Sequence, residues 1–183
     1  MNERIPFRTI KRKVQRLFAD CNIDLDSIKI EKRKTVAIDL EEIASCKNIS
    51  IHYHPFSNDI SGVFYKKGEK LFLGVNEKHT EQRQRFTIAH EIGHHILHTD
   101  DILHYDIQRC DTVDGIDPVY FRADKIQSSQ ETEANFFAAE LLMPAELIER
   151  CVEAGIEYVS DLAEYFKVSE EAMRYRLINL GYL

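Results

Sequence analysis

No stretch of this sequence stays apolar for the ~20 residues that a membrane-spanning helix needs. The opening residues, MNERIPFRTIKRK, are charged and contain no apolar segment of the kind that directs secretion. These two absences predict a cytoplasmic protein with no membrane partner. Cysteine is scarce and scattered: Cys21, Cys46, Cys110 and Cys151 form no CxxC pair. That excludes a zinc ribbon and a small disulfide scaffold, and four reduced, mostly packed thiols are expected. Internal repeats and low-complexity stretches are also absent.

What is present is a globular balance, 44% hydrophobic and 30% charged over 183 residues. That length allows one domain with a real core and a small appendage. The net charge of −7 is unevenly spread: residues 1–34 hold ten Lys/Arg against five Asp/Glu, and the remainder is strongly acidic. An acidic body argues against broad nucleic-acid binding, which depends on neutralising phosphates. The basic start is expected to be a solvated helix face.

Residues 6–20 place Ile10, Val14, Leu17 and Phe18 at helical spacing. A short helix over 39–47 can be capped by Asp39. ISIHYHPF (49–56) reads as a strand, and residues 60–76 read as a hairpin turning at Lys67-Gly68. Helix is predicted from Thr80 to about His98 and again over 129–143, with further short helices after Pro144. Residues 99–127, with seven Asp, one Gly and one Pro, interrupt the pattern and are expected to gate substrate entry. The fold class is α+β, a small antiparallel or mixed sheet beside a helical body. Residues 1–150 are read as the main domain, with 1–30 as its helical arm, and 151–183 as a C-terminal helical segment.

HEIGH at 90–94 fits HExxH. With about 3.6 residues per turn, His90 and His94 share one helix face and can bind one tetrahedral Zn²⁺. Glu91 lies about 100° around the helix, beside the metal but off it. There it can take a proton from an activated water and pass it to a leaving amine. A catalytic zinc needs a third protein ligand. The pattern HExxHxxGxxH is not met: Leu97 stands where glycine would turn the chain, so Asp100 is a poor candidate. His98 is about 12 Å along the axis from His90, too far to share a metal, and is expected to pack or to support the site.

The better source is the helix QETEANFFAAELLMP (130–144). On a helical wheel Glu131 sits beside the apolar arc of Ala134, Phe137, Ala138, Leu141 and Leu142. Asn135, one turn on, can hydrogen-bond a ligand and hold it in place. Glu133 and Glu140 fall on the opposite side, towards solvent, so Glu131 is preferred over Glu133 as the third ligand. Ser128-x-x-Glu131 also fits a capping box, in which Glu131 would only tie off the helix start.

RFTIAHEIGHHILH (85–98), the downstream ETEANFFAAELLMP (131–144) and the SGVFY…LFLGVN hairpin together resemble the ImmA/IrrE family of metallopeptidases, over roughly residues 30–150. The resemblance implies a compact zincin fold of the gluzincin kind, with a glutamate third ligand on a second helix. It implies a cytosolic bacterial protease whose substrate is a helix-turn-helix repressor, cut at one site to release stress-response or mobile-element genes. The family pattern matches His90, Glu91, His94 and Glu131. No residue can be assigned to stabilise an oxyanion; His104, Tyr105, Tyr120 and Arg122 are candidates.

Residues 156–183 read as two short helices broken at Lys167-Val168-Ser169, resembling a helix-turn-helix with Ser169 as a cap. The second helix carries Glu170, Glu171, Arg174 and Arg176, which sum to zero charge. Packing on the domain or gripping a protein partner is expected over DNA binding, which stays open as the minor alternative. A regulatory module with a structural metal site is the rival reading of the whole chain. It has no need of Glu91, whose presence favours an enzyme. A zinc hydrolase acting on a non-peptide amide fits the same residues.

Overall fold

The computed structural model describes residues 4–31, 34–57, 60–98 and 128–183. In chain order these form α1 (Phe7–Asp20), α2 (Leu40–Cys46), β1 (Ile49–His54), β2 (Gly62–Lys67), β3 (Lys70–Asn76), α3 (Glu81–Leu97), α4 (Ser128–Leu142), α5 (Ala145–Glu153), α6 (Val159–Phe166) and α7 (Glu170–Leu180). The fold is α+β, as expected. Helix starts follow local chemistry: Asp39 accepts the backbone N–H groups of Glu41 and Glu42, Thr80 that of Arg83, and Ser169 that of Ala172. The break before Ser169 is a left-handed Lys167, which ends α6.

The sheet is mixed, with strand order β1-β3-β2. β1 runs parallel to β3, pairing Ile49 with Leu71 and Ile51 with Leu73. β2 runs antiparallel to β3, pairing Phe64 with Leu73. β2 is therefore an edge strand among the described residues.

The core lies between the sheet and the helices. Leu73 and Val75 of β3 and Ile88, Ala89 and Ile92 of α3 join Ile10, Val14 and Leu17 of α1 and Phe137, Ala138 and Leu141 of α4. Leu162, Phe166, Met173 and Leu177 of α6 and α7 belong to the same cluster. Gly93 sets how close α3 and α4 come. A Cβ there would stand 2.9 Å from Cδ1 of the buried Phe137 ring, tighter than packed carbons tolerate.

Two expectations are corrected here. Glu133 and Glu140 do not face solvent: they are 2% and 7% exposed. The wheel treated α4 as having one buried face, but α1 and α7 cover the other. Glu133 accepts the Ile5 N–H at 2.8 Å, and Phe7 stacks on Phe136. Glu140 takes both guanidinium nitrogens of buried Arg176 at 2.7 and 2.8 Å, with Lys11 at 3.6 Å. The cysteines are also not all reduced. Cys21, at the end of α1, and Cys46, at the end of α2, are joined by a disulfide because packing brings those two ends together. Cys151 is a buried thiol pushed up to about 11 by burial, which makes it a packing group and not a nucleophile. Cys110 lies outside the described residues.

Candidate metal centre

α3 carries two adjoining stripes, each repeating at i, i+4, i+8, and each meets a different neighbour. His90, His94 and His98 face α4. Thr87, Glu91 and His95 face the sheet: a Cβ on Gly62 of β2 would meet Thr87 and approach Glu91, and Phe64 of β2 stacks on His95. The helical repeat alone creates the two stripes. The Gly93–Phe137 contact then brings α4 close enough to complete the first.

His90 Nε2 and His94 Nε2 lie 2.9 Å apart. Glu131 extends its carboxylate between them, with Oε2 at 3.3 Å from His90 Nε2 and Oε1 at 3.1 Å from His94 Nε2. His94 is buried, whereas the Glu131 side chain is 39% exposed, so the cluster is walled by protein on one side and open on the other. Asn135, one turn along α4 from Glu131, sets its Oδ1 2.9 Å from His90 Nδ1. A hydrogen bond donated by Nδ1–H leaves the Nε2 lone pair directed at the carboxylate and the second imidazole.

This donor set fits a divalent metal. Two imidazole nitrogens and a carboxylate oxygen on a tetrahedral zinc, with bonds of about 2.0–2.1 Å, stand roughly 3.3 Å from one another. The observed separations of 2.9, 3.1 and 3.3 Å are close to that edge length. Among the described residues the set has three protein donors and an exposed side, which is the layout of a reactive site, since closed structural sites use four. These three residues are also the one His/Cys/Asp/Glu group among the described residues with donors within 4.8 Å of one another.

Glu91 is half-buried on the neighbouring stripe, between the metal donors and edge strand β2. Gly62 keeps the space beside it open, since any larger residue there would collide with Thr87. Burial pushes the pKa of His95 below its ordinary value, and Lys47 adds to the shift. His95 therefore stacks on Phe64 as a neutral ring at pH 7.

His98 is buried, with Nε2 3.5 Å from Glu133 Oε2. Neither joins the ligand cluster; both lie on the side of α4 that anchors the N-terminal arm. Sequence reasoning missed this role for Glu133, because its signal is the burial of a charged side chain, which a wheel cannot reveal. Asp100, His104, Tyr105, Tyr120, Arg122 and the acidic 99–127 segment lie outside the described residues. On α7, Arg176 is 3% exposed and bound to Glu140, leaving Glu170, Glu171 and Arg174 as the exposed charges. Such a face repels phosphate more than it attracts it. No helix among the described residues is long and apolar enough to cross a membrane.

Comparison with known proteins places the site in context. Residues 44–178 match the M78 peptidase family, described as the IrrE N-terminal-like domain. The chain is 37% identical over 107 residues to the radiation response metalloprotease IrrE of Deinococcus radiodurans, covering 56% of this chain and 29% of that protein. It is 29% identical over 144 residues to immunity region protein 2 of Bacillus phage phi105, covering 79% and 74%. It is 27% identical over 121 residues to the metallopeptidase ImmA of Bacillus subtilis, covering 63% and 60%. The match thus spans under a third of the Deinococcus radiodurans protein.

Proposed function

The chain belongs to the M78 peptidase family of IrrE N-terminal-like domains, and from that premise we propose that it hydrolyses a peptide bond in a protein substrate, with zinc held by His90, His94 and Glu131. The observation that carries the reading is the convergence of those three donors beside a glutamate that is not one of them. A structural site would use a fourth protein donor and would have no need of a glutamate outside the donor set at its edge.

Bound there, zinc would acidify a water and polarise the scissile carbonyl. The chain's own residues do the rest. Glu91 accepts the proton of the attacking water and hands it to the departing amine, acting in turn as base and acid. Asn135 holds the His90 ring, and with it the direction of Nε2. Among the described residues the outer edge of β2, next to Glu91, pairs with no other strand, and an extended peptide can pair along it by backbone hydrogen bonds.

The substrate we propose is a helix-turn-helix transcriptional repressor, cut at a single site. This rests on the motif resemblance and on likeness to a metallopeptidase and a phage immunity-region protein. A repressor substrate places the reaction in the cytoplasm.

The test is incubation of the zinc-loaded protein with purified repressors encoded beside its gene, wild type against Glu91→Gln. Wild type should release one pair of fragments. The variant should keep stoichiometric zinc and lose about 10²–10⁴-fold in rate. A Glu91→Gln variant that cuts at the wild-type rate would remove Glu91 from the mechanism. Zinc binding with no cleavage of any repressor or unfolded protein would favour the regulatory-module reading.

A further inference from the structure

The valley between α3 and α4 does not end at the metal donors. Gln82, Phe86 and His90 continue one stripe of α3 towards its start, and the Phe86 ring centroid is 5.9 Å from that of His90. On α4 the matching line runs from Glu131 through Asn135 and Ala139 to Leu142. At its far end, one helical turn from His90, the valley opens into a cavity of about 220 Å³. Gln82, Arg83 and Phe86 line it from α3, Leu142 and Met143 from the end of α4, Val168 from the α6–α7 turn and Ala172 from the first turn of α7. This volume is below the ~300–1,000 Å³ of whole small-molecule sites and suits a single side chain.

Its lining is mostly apolar. The hydroxyls at its rim are already used, Thr80 to cap α3 and Ser169 to cap α7. The side chains of Phe86, Leu142, Met143, Val168 and Ala172 offer only carbon and sulfur, while Gln82 and Arg83 stand at the exposed rim, where Arg83 donates to the Ser61 hydroxyl at 3.0 Å. The wall from the C-terminal segment is fixed in place: Lys167 donates to Glu81 Oε1 at 2.7 Å across the mouth of α3, and Val168 is buried.

We propose that this pocket receives an apolar side chain of the substrate beside the bond that is cut, and that Ala172 sets how large that side chain can be. The inference builds on the peptidase reading. It gives the helix-turn-helix-like segment a task within the site: it supplies the outer wall of a specificity pocket. Continuity with the ligand cluster selects the occupant, since a peptide held at His90, His94 and Glu131 has a side chain within one turn of Phe86.

The experiment uses peptidyl hydroxamates, which bind zinc without being hydrolysed. A series identical except for one side chain next to the hydroxamate (leucyl, phenylalanyl, glycyl, aspartyl) is titrated against the full zinc-loaded chain. The leucyl or phenylalanyl compound should bind at least tenfold tighter than the glycyl, because filling an apolar pocket discriminates by about 10–200-fold. Ala172→Leu, which keeps helix propensity, should remove that advantage while zinc content and glycyl affinity stay unchanged. The smaller filling variant Ala172→Val should lose part of it. Equal affinity for leucyl and glycyl compounds in wild type overturns the proposal without any variant, as does an advantage that survives Ala172→Leu. A protein that prefers leucyl hydroxamate yet cleaves nothing would keep the pocket and sink the peptidase reading, so the two failures are separable.

Discussion

His90 Nδ1 lies 2.9 Å from Asn135 Oδ1, so the imidazole that faces His94 and Glu131 through Nε2 is held from behind by the same helix that supplies Glu131. One helix–helix contact thereby fixes both a donor and the orientation of another. Asn135→Ala should weaken zinc binding by about 10–100-fold, the usual cost of losing such a support. Competition against a chelator of known affinity measures it, and an unchanged affinity would show that His90 needs no such hold. Asn135→Asp, which keeps an acceptor oxygen, should recover much of the loss.

Glu131 and Glu133 are two residues apart on α4 yet face different neighbours, and their alanine variants should separate accordingly. Glu131→Ala should purify folded but without stoichiometric zinc. Glu133→Ala should keep zinc and lose stability, because the Ile5 N–H loses its acceptor and buried His98 loses a neighbouring carboxylate. Plasma mass spectrometry for metal content, alongside thermal unfolding, distinguishes the two. Loss of zinc only in Glu133→Ala would exchange their assignments.

Arg176 and Glu140 form a two-pronged ion pair inside the protein. Arg176→Ala strands the Glu140 carboxylate and should cost about 3–5 kcal/mol in urea unfolding. Replacing both by methionine should restore most of the stability, since burying two charges is itself expensive. If Arg176 instead served DNA, its loss would leave stability intact and abolish a salt-dependent gel shift.

Cys21 and Cys46 enclose a segment with a sequence separation of 25. By loop-closure entropy the bond stabilises the fold by about 3 kcal/mol. Cys46→Ser should lower the unfolding midpoint, and dithiothreitol should lower that of the wild type to the same point while leaving the variant unchanged. A wild-type midpoint insensitive to the reductant would return these residues to the reduced state expected from their spacing.

Sequence alone went furthest where one helix's geometry decides the outcome. A 3.6-residue repeat puts His90 and His94 on one face and Glu91 on the next. The same repeat on the second helix selects Glu131 and Asn135, and His90, His94, Glu131 and Asn135 stand together in the fold. Asp39, Thr80 and Ser169 start their helices through contacts two or three residues away, which any local reading can find. The hairpin turning at Gly68 is equally local, and its backbone is left-handed there.

Only the tertiary structure decided what covers α4 from behind. Glu133 meets Ile5 across 128 positions of sequence, and Arg176 meets Glu140 across 36. The wheel assigned both glutamates to solvent because a charged side chain is ordinarily exposed. Burial becomes affordable only once a distant donor arrives to satisfy the carboxylate, and no periodicity encodes that arrival. The Cys21–Cys46 pair, the Gly93–Phe137 approach and the pocket under the α6–α7 turn depend likewise on helices that meet only in the folded chain. The sequence determined the donors and their spacing through local backbone geometry. Packing between distant segments determined how closely those donors are drawn together and which side of them stays open.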